Sequence, residues 1–327
     1  MAGAIIENQT GKIATRQAYG EALVELADQF PELVVLDADL SGSTYTGKFA
    51  KLYPERFFNM GIAEQNMIST AAGLAASGKI PFASSFAMFA TGRAWEQVRN
   101  SVAHNDFNVK IAATHAGITL GEDGASHQII EDIAIMSVIP KMTVLVPADA
   151  VETKAIIKKA LLHKGPVYIR LGRPAVPVIF NPDNFEFEIG KSHIIREGKD
   201  VTIAALGIMV SIALEAAVKL QEKGIEAEVI NLSSVKPLDK ATILKSVGKT
   251  NALVVAEEHN QVCGVNQMVS ACISQNHIGY CPMGVVAVDD RFGQSGTIDA
   301  LLLEYGLTAD HIAAEAEKVL NLKKKAS

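Results

Sequence analysis

The chain has 327 residues, 49% of them hydrophobic, so its length exceeds a usual single domain and its apolar content suffices for two buried cores. The formal net charge of −6 and the pI near 5.8 come from interspersed charges and exclude the basic stripe that nucleic-acid binding requires. No uncharged apolar run reaches the roughly 18 residues of a membrane span, and the start MAGAIIENQTGKIATRQ shows no charged region followed by an apolar one, so a cytoplasmic protein is expected.

From Ala14 to Phe30 apolar residues (Ala18, Leu23, Leu26, Phe30) recur at helical spacing, and LVVLDADL reads as a buried strand entering a polar loop. After Glu64 the positions Met67, Ile68, Ala71, Leu74 and Ala75 share one helical face; Gly78 is placed to end that helix, and IPFASSF follows as a strand. VKIAATH, MTVLVPAD and GPVYIRLG are short apolar runs rich in β-branched residues that alternate with helical segments. Such alternation predicts a mostly parallel sheet covered on both faces.

The stretch from Arg173 to Glu188, with Pro174, Pro177 and Pro182, has neither helical nor strand period and is expected to be a linker. Beyond it DVTIAALGIMV, SIALEAAVKLQEKG and IEAEVINLSSV predict a strand, a helix and a strand, and NALVVAEEH and GVVAVDD supply further buried strands. The expected fold class is therefore α/β with two domains, each a mostly parallel sheet flanked by helices: residues 1–173, a linker over 174–189, and residues 190–327. Cys263, Cys272 and Cys281, spaced by nine, fit neither a disulfide framework nor the close pairs of zinc sites and read as buried free thiols. Lys323 to Lys325 reads as a solvated C-terminal tail.

Ligands of open α/β sheets bind at the carboxyl ends of strands. Polar residues follow strand-like runs at Asp37 to Ser43, Phe86 to Arg93, His115 to His127 and Arg170 to Arg173. Glu64, near a helix start and flanked by Gly61, Ile62 and Ala63, is either a glutamate favoured by the helix dipole or a carboxylate in an apolar setting that bonds a heteroaromatic nitrogen. Phe86 and Phe89 are core aromatics or a stacking surface for a flat ring. In ATHAGITLGEDGASHQ, His115 and His127 lie twelve positions apart; their spacing with Asp123 matches no zinc or iron pattern, so no metal site is expected in this chain. Two imidazoles and an aspartate suit a polyol better, and Gly121 and Gly124 would let the loop approach it.

Through GIAEQN, SSFAMF, ATHAGITLGEDGASHQ, VPAD and PVYIRLGR, and diffusely from Gly190 onward, the sequence resembles the C-terminal portion of transketolase, a thiamine-diphosphate enzyme that moves two-carbon ketol units between sugar phosphates. The resemblance implies a pyrimidine-binding domain followed by the family's C-terminal domain. It makes Glu64 the glutamate that bonds the pyrimidine N1′ and promotes the imino form whose nitrogen takes the thiazolium C2 proton. Phe86 and Phe89 then pack on the aminopyrimidine, and Asp39 lies in a loop approaching the cofactor. On the substrate side His115 and His127 meet the donor carbonyl and terminal phosphate, Asp123 accepts from a substrate hydroxyl, and Arg16, Ser43 and Arg173 form a phosphate clamp suited to bidentate contacts.

Two departures from the family pattern stand out. Its third aromatic after SSFAMF is replaced: Gly92 and Arg93 occupy that place, Trp95 follows, and one residue is inserted. The Gly-Asp-Gly and asparagine of the diphosphate-binding domain, which hold Mg²⁺, are missing, and Ala14 to Arg16 lies almost at the N-terminus. The expected assembly is a split transketolase in which a separate N-terminal subunit binds the diphosphate with Mg²⁺ (or Ca²⁺), and this chain self-associates to give α2β2 overall. Sugar phosphates are the expected substrates, and neither nucleic acid nor membrane is an expected partner. The competing readings are the beta subunit of a 2-oxoacid dehydrogenase, which usually lacks the paired histidines; 1-deoxyxylulose-5-phosphate synthase, which usually has arginine at the place of His115; and a non-catalytic scaffold.

Overall fold

A computed structural model describes residues 11–276 and 279–326; residues 1–10, on which the expectation about a leader falls, lie outside it. The first sheet has seven strands, in the order Ser234–Lys236, Thr143–Leu145, Val167–Arg170, Lys110–Ala113, Ile80–Ser84, Leu33–Asp37, Phe57–Asn59, six of them from the part of the chain before Arg173. Every neighbouring pair is parallel except the first, which is antiparallel. The second half builds a five-stranded sheet, Met283–Val288, Leu253–Asn260, Val201–Ala205, Ala227–Asn231, His193–Arg196, with only the last strand antiparallel. Leu33–Asp37, Lys110–Ala113, Val201–Ala205 and Ala227–Asn231 are buried at every position, as strands covered by helices on both faces must be.

Four sequence expectations are corrected. The segment after Arg173 is not structureless: Ala175–Pro177 pairs antiparallel with Lys12–Ala14, and the Asp149 carboxylate, which caps Ala150–Leu162, also accepts the N–H groups of Ile179 and Phe180. A two-strand ribbon tolerates proline at its end, so the prolines hid a strand of three residues. IEAEVINLSSV is not one strand; Ala227–Asn231 stays in the second sheet while Ser234–Lys236 crosses to the edge of the first. Lys323 to Lys325 belongs to the helix Ala309–Ala326, and Lys323 Nζ donates to the carbonyl of Thr250 at 2.6 Å. Of the cysteines only Cys272 is buried; Cys263 is exposed and Cys281 intermediate, all three as free thiols.

The crossover has an energetic counterpart. One apolar cluster contains Val144 and Val146 of the first half together with Leu206, Ile230, Leu232 and Val235 of the second. The two sheets thus share a core, and the loops at their junction are held from both sides. Among the described residues no helix is long and apolar enough to cross a membrane.

Candidate functional site

Val167–Arg170, Lys110–Ala113, Ile80–Ser84 and Leu33–Asp37 are consecutive parallel neighbours, so the four polar loops noted in the sequence leave the sheet at one edge. There they form a row of flat groups. The His115 ring lies 3.9 Å from that of Phe86; Phe86 lies 6.2 Å from Phe89 with 15° between their planes; and His127 meets Phe89 edge-on at 5.3 Å. The row continues to the Arg93 guanidinium, 4.6 Å from the Phe89 centroid, whose Nη1 donates to Glu64 Oε2 at 2.7 Å.

Glu64 is the first residue of the helix Glu64–Ala76, where the unpaired N–H groups favour a carboxylate, and its side chain is 1% exposed. Phe86 follows the strand Ile80–Ser84 and bridges to Thr114, so the end of one strand is pinned to the next. Phe89 and Arg93 lie in the π-helix Met88–Arg93. A π-turn absorbs one residue more than an α-turn without ending the helix, which fits the extra residue that the family resemblance implies here. Arg93 was missed as a site residue, although the insertion pointed to it.

The residues expected on the substrate side also converge. Arg16, in the first turn of Thr15–Leu26, donates through Nε to the carbonyl of Arg173 at 3.1 Å and through Nη1 to that of Ser43 at 2.7 Å. Ser43 therefore meets Arg16 through its backbone carbonyl. Arg16 Nη1 also lies 3.4 Å from His115 Nε2. A guanidinium can only donate, so Nε2 is the bare nitrogen, and Nδ1 carries the proton toward Thr114 Oγ1 at 2.7 Å. Burial, with Arg16 and Arg173 nearby, pushes His115 down to about 3, so the imidazole is neutral. Its backbone is left-handed at φ 62°, a conformation that a side chain adopts only when its surroundings enforce it.

Arg173 Nη1 donates to the carbonyl of Leu120 and to Glu122 Oε2, the latter at 3.0 Å. Asp123, beside Glu122, is exposed and makes no hydrogen bond or ion pair among the described residues. Asp39 is exposed too and joins the cluster only at second hand: Asn59 Nδ2 donates to its carboxylate at 2.9 Å, and Asn59 Oδ1 accepts the N–H of Gly61 in the turn before Glu64. Among the described residues no group of three or more His, Cys, Asp and Glu could hold a metal ion.

The second sheet supports the loop between the histidines. Glu258, read earlier only as part of a strand, accepts the N–H of Thr119 on Oε1 at 2.7 Å, and its carbonyl accepts from Arg170 Nη2 at 2.9 Å. Arg170 Nε donates in turn to Asp132 Oδ2 at 2.7 Å. Burial alone would raise Asp132, but Arg170 outweighs it and holds the carboxyl below its usual range. Gln128 Nε2 reaches the carbonyls of Ile118 and Gln294, and Ser295 Oγ that of Glu122. The loop is thus fixed by both halves of the chain.

Comparison with known proteins identifies the two halves of the chain. Residues 11–178 match the transketolase pyrimidine-binding domain, and residues 190–312 the transketolase C-terminal domain. A Methanocaldococcus jannaschii protein described as a transketolase C-terminal section is 51% identical over 299 residues, covering 91% of this chain and 93% of that protein. A 6-deoxy-6-sulfo-D-fructose transketolase subunit of Clostridium sp. (strain MSTE9) is 43% identical over 311 residues, covering 94% and 95%. A solved structure described as a split gene transketolase, inactive beta4 tetramer, superposes with a TM-score of 0.87 at 54% identity, covering 96% of this chain and 100% of that one. The chain belongs to the transketolase family, with the family's pyrimidine-binding domain followed by its C-terminal domain.

Proposed function

We propose that this chain is the pyrimidine-side subunit of a split transketolase that, together with a separate N-terminal diphosphate-binding subunit, transfers a two-carbon ketol unit from a ketose phosphate to an aldose phosphate. The observation that carries the proposal is the unbroken row from buried Glu64 through Phe89 and Phe86 to His115, with the guanidinium groups of Arg16 and Arg173 behind it. A buried carboxylate beside two aromatic rings fits the aminopyrimidine half of thiamine diphosphate. When bound, that cofactor supplies a carbon nucleophile for the ketose carbonyl.

The chain's own residues have separable roles. Glu64 accepts from the pyrimidine ring nitrogen, and Phe86 and Phe89 exclude water from its face. His115, neutral and with Nε2 bare, holds and relays a proton beside the substrate carbonyl or hydroxyl, with His127 next to it. Asp123, which makes no hydrogen bond or ion pair among the described residues, accepts from a sugar hydroxyl. Arg16 and Arg173, on a rim held by the Ser43 carbonyl, bind the terminal anion. Asp39 orients the turn before Glu64 through Asn59.

The partner subunit would hold the diphosphate with Mg²⁺ (or Ca²⁺), and self-association of this chain would give an α2β2 assembly. The family match to pyrimidine-binding and C-terminal domains supports this arrangement, as do relatives of the same extent that are named as a subunit, a C-terminal section and a beta4 tetramer. The terminal anion need not be phosphate. One relative is named for a sulfonated fructose, and two guanidiniums take a sulfonate as they take a phosphate.

The test is ketol transfer with thiamine diphosphate and Mg²⁺, using the purified chain alone and in a reconstituted complex with the candidate N-terminal subunit. Transfer is expected only in the complex, and Glu64→Gln is expected to abolish it there. Turnover by the chain alone would overturn the split arrangement. An unchanged rate in the Glu64→Gln complex would remove Glu64 from the chemistry.

A further inference from the structure

We infer that Arg93 is a built-in stand-in for the aminopyrimidine, occupying the place between Glu64 and Phe89 until the cofactor displaces it. The inference rests on the reading that Glu64 and Phe89 receive the aminopyrimidine. An aminopyrimidine is a flat, electron-poor ring that, with its ring nitrogen protonated, presents an N–H to a carboxylate while one face lies on an aromatic side chain. The Arg93 guanidinium has the same plan: it is flat, it donates to Glu64 Oε2 at 2.7 Å, and it lies 4.6 Å from the Phe89 centroid. Arginine and pyrimidine therefore compete for one oxygen and one ring face and cannot be bound together.

The local fold favours this competition. Arg93 ends the π-helix Met88–Arg93, and the wider turn brings residues four apart nearer to eclipse, so that its side chain falls across Phe89. The carboxylate is 1% exposed but the Arg93 side chain is 47% exposed, so the arginine can leave toward solvent while Glu64 cannot. Without a partner, a buried carboxylate is strongly destabilising. Arg93 removes that penalty in the cofactor-free chain, and the incoming ring must take over the same hydrogen bond. The consequence is a lowered affinity for the pyrimidine, which removal of the arginine would raise.

The experiment titrates the full chain with 4-amino-5-hydroxymethyl-2-methylpyrimidine by isothermal calorimetry, comparing wild type, Arg93→Met, Arg93→Lys and Glu64→Ala, each first shown by its melting transition to be folded. Arg93→Met is expected to bind about tenfold more tightly than wild type. Arg93→Lys, which keeps the charge but loses the flat face, should fall between them, and Glu64→Ala should not bind. If Glu64→Ala abolishes binding while Arg93→Met leaves it unchanged or weaker, the stand-in role is overturned and the cofactor reading survives. If Glu64→Ala binds like wild type, the cofactor reading fails and the inference with it. Absence of binding to Arg93→Met up to the solubility limit also overturns the inference, because removal of the arginine would then have opened no place for the ring.

Discussion

Glu258 Oε1 accepts the backbone N–H of Thr119 at 2.7 Å, so a carboxylate of the second sheet holds the loop that carries His115 and His127 on the first. Both groups are buried, and the side chain reaches over Gly117, where a Cβ would stand 2.1 Å from the Glu258 carboxyl carbon. The C-terminal half therefore shapes the loop that carries both histidines without contributing one of them.

Glu258→Ala leaves the Thr119 N–H buried without an acceptor, at a cost of about 1–3 kcal/mol. The expected result is a lower denaturation midpoint together with faster hydrogen exchange at the Thr119 amide. Unchanged exchange at Thr119 in a folded variant would show that the bond does not hold the loop.

Gly117→Ala is expected to destabilise by more than about 1 kcal/mol, because alanine is strained at φ +81° and its methyl group overlaps Glu258. The Gly117→Ala, Glu258→Ala double variant should lose less than the sum of the single losses, since removing the carboxyl relieves the clash. Strict additivity in urea unfolding would contradict this account.

His115 gives the chain a specific acid response. It is neutral in the folded state down to about 3 and protonated in the unfolded chain below its ordinary 6.5, so its contribution to stability is complete above 6.5 and is lost as the pH falls toward 3. Unfolding free energies measured between about pH 6.5 and 4 should fall more steeply for wild type than for His115→Asn. Parallel profiles would mean that the imidazole is accessible to protons in the native state.

Arg16→Ala and Arg173→Ala, each removing a charged donor from the rim, should raise KM for a ketose phosphate in the reconstituted complex by roughly 10–100-fold. KM for the corresponding unphosphorylated ketose should barely change. Equal losses with both substrates would assign the arginines to holding Ser43, Leu120 and Glu122 in place, with no role in binding an anion.

Much of the site was legible because its residues sit where strands end. Asp37, Phe86, His115 and Arg170 each follow a run of buried residues, and parallel strands necessarily deliver their carboxyl ends to one edge. Arg93 was legible only as an irregularity, because the resemblance implies an extra residue there but not the π-turn that aims it. Glu258 left no local mark. In NALVVAEEH it has the look of a polar strand end, and its partner Thr119 is 139 positions away.

The sequence by itself determined the alternation of strand and helix, the two-domain class and the loops that carry polar chemistry, since these follow from short-range periodicity and turn residues. Only the tertiary structure decided which partner each buried charge takes: Arg93 for Glu64, Arg170 for Asp132, the Thr119 amide for Glu258. It also decided that Ser234–Lys236 would leave its own sheet for the other. The physical reason is that a buried charge or an open strand edge is satisfied by whatever group is close in space, and no spacing along the chain encodes that distance.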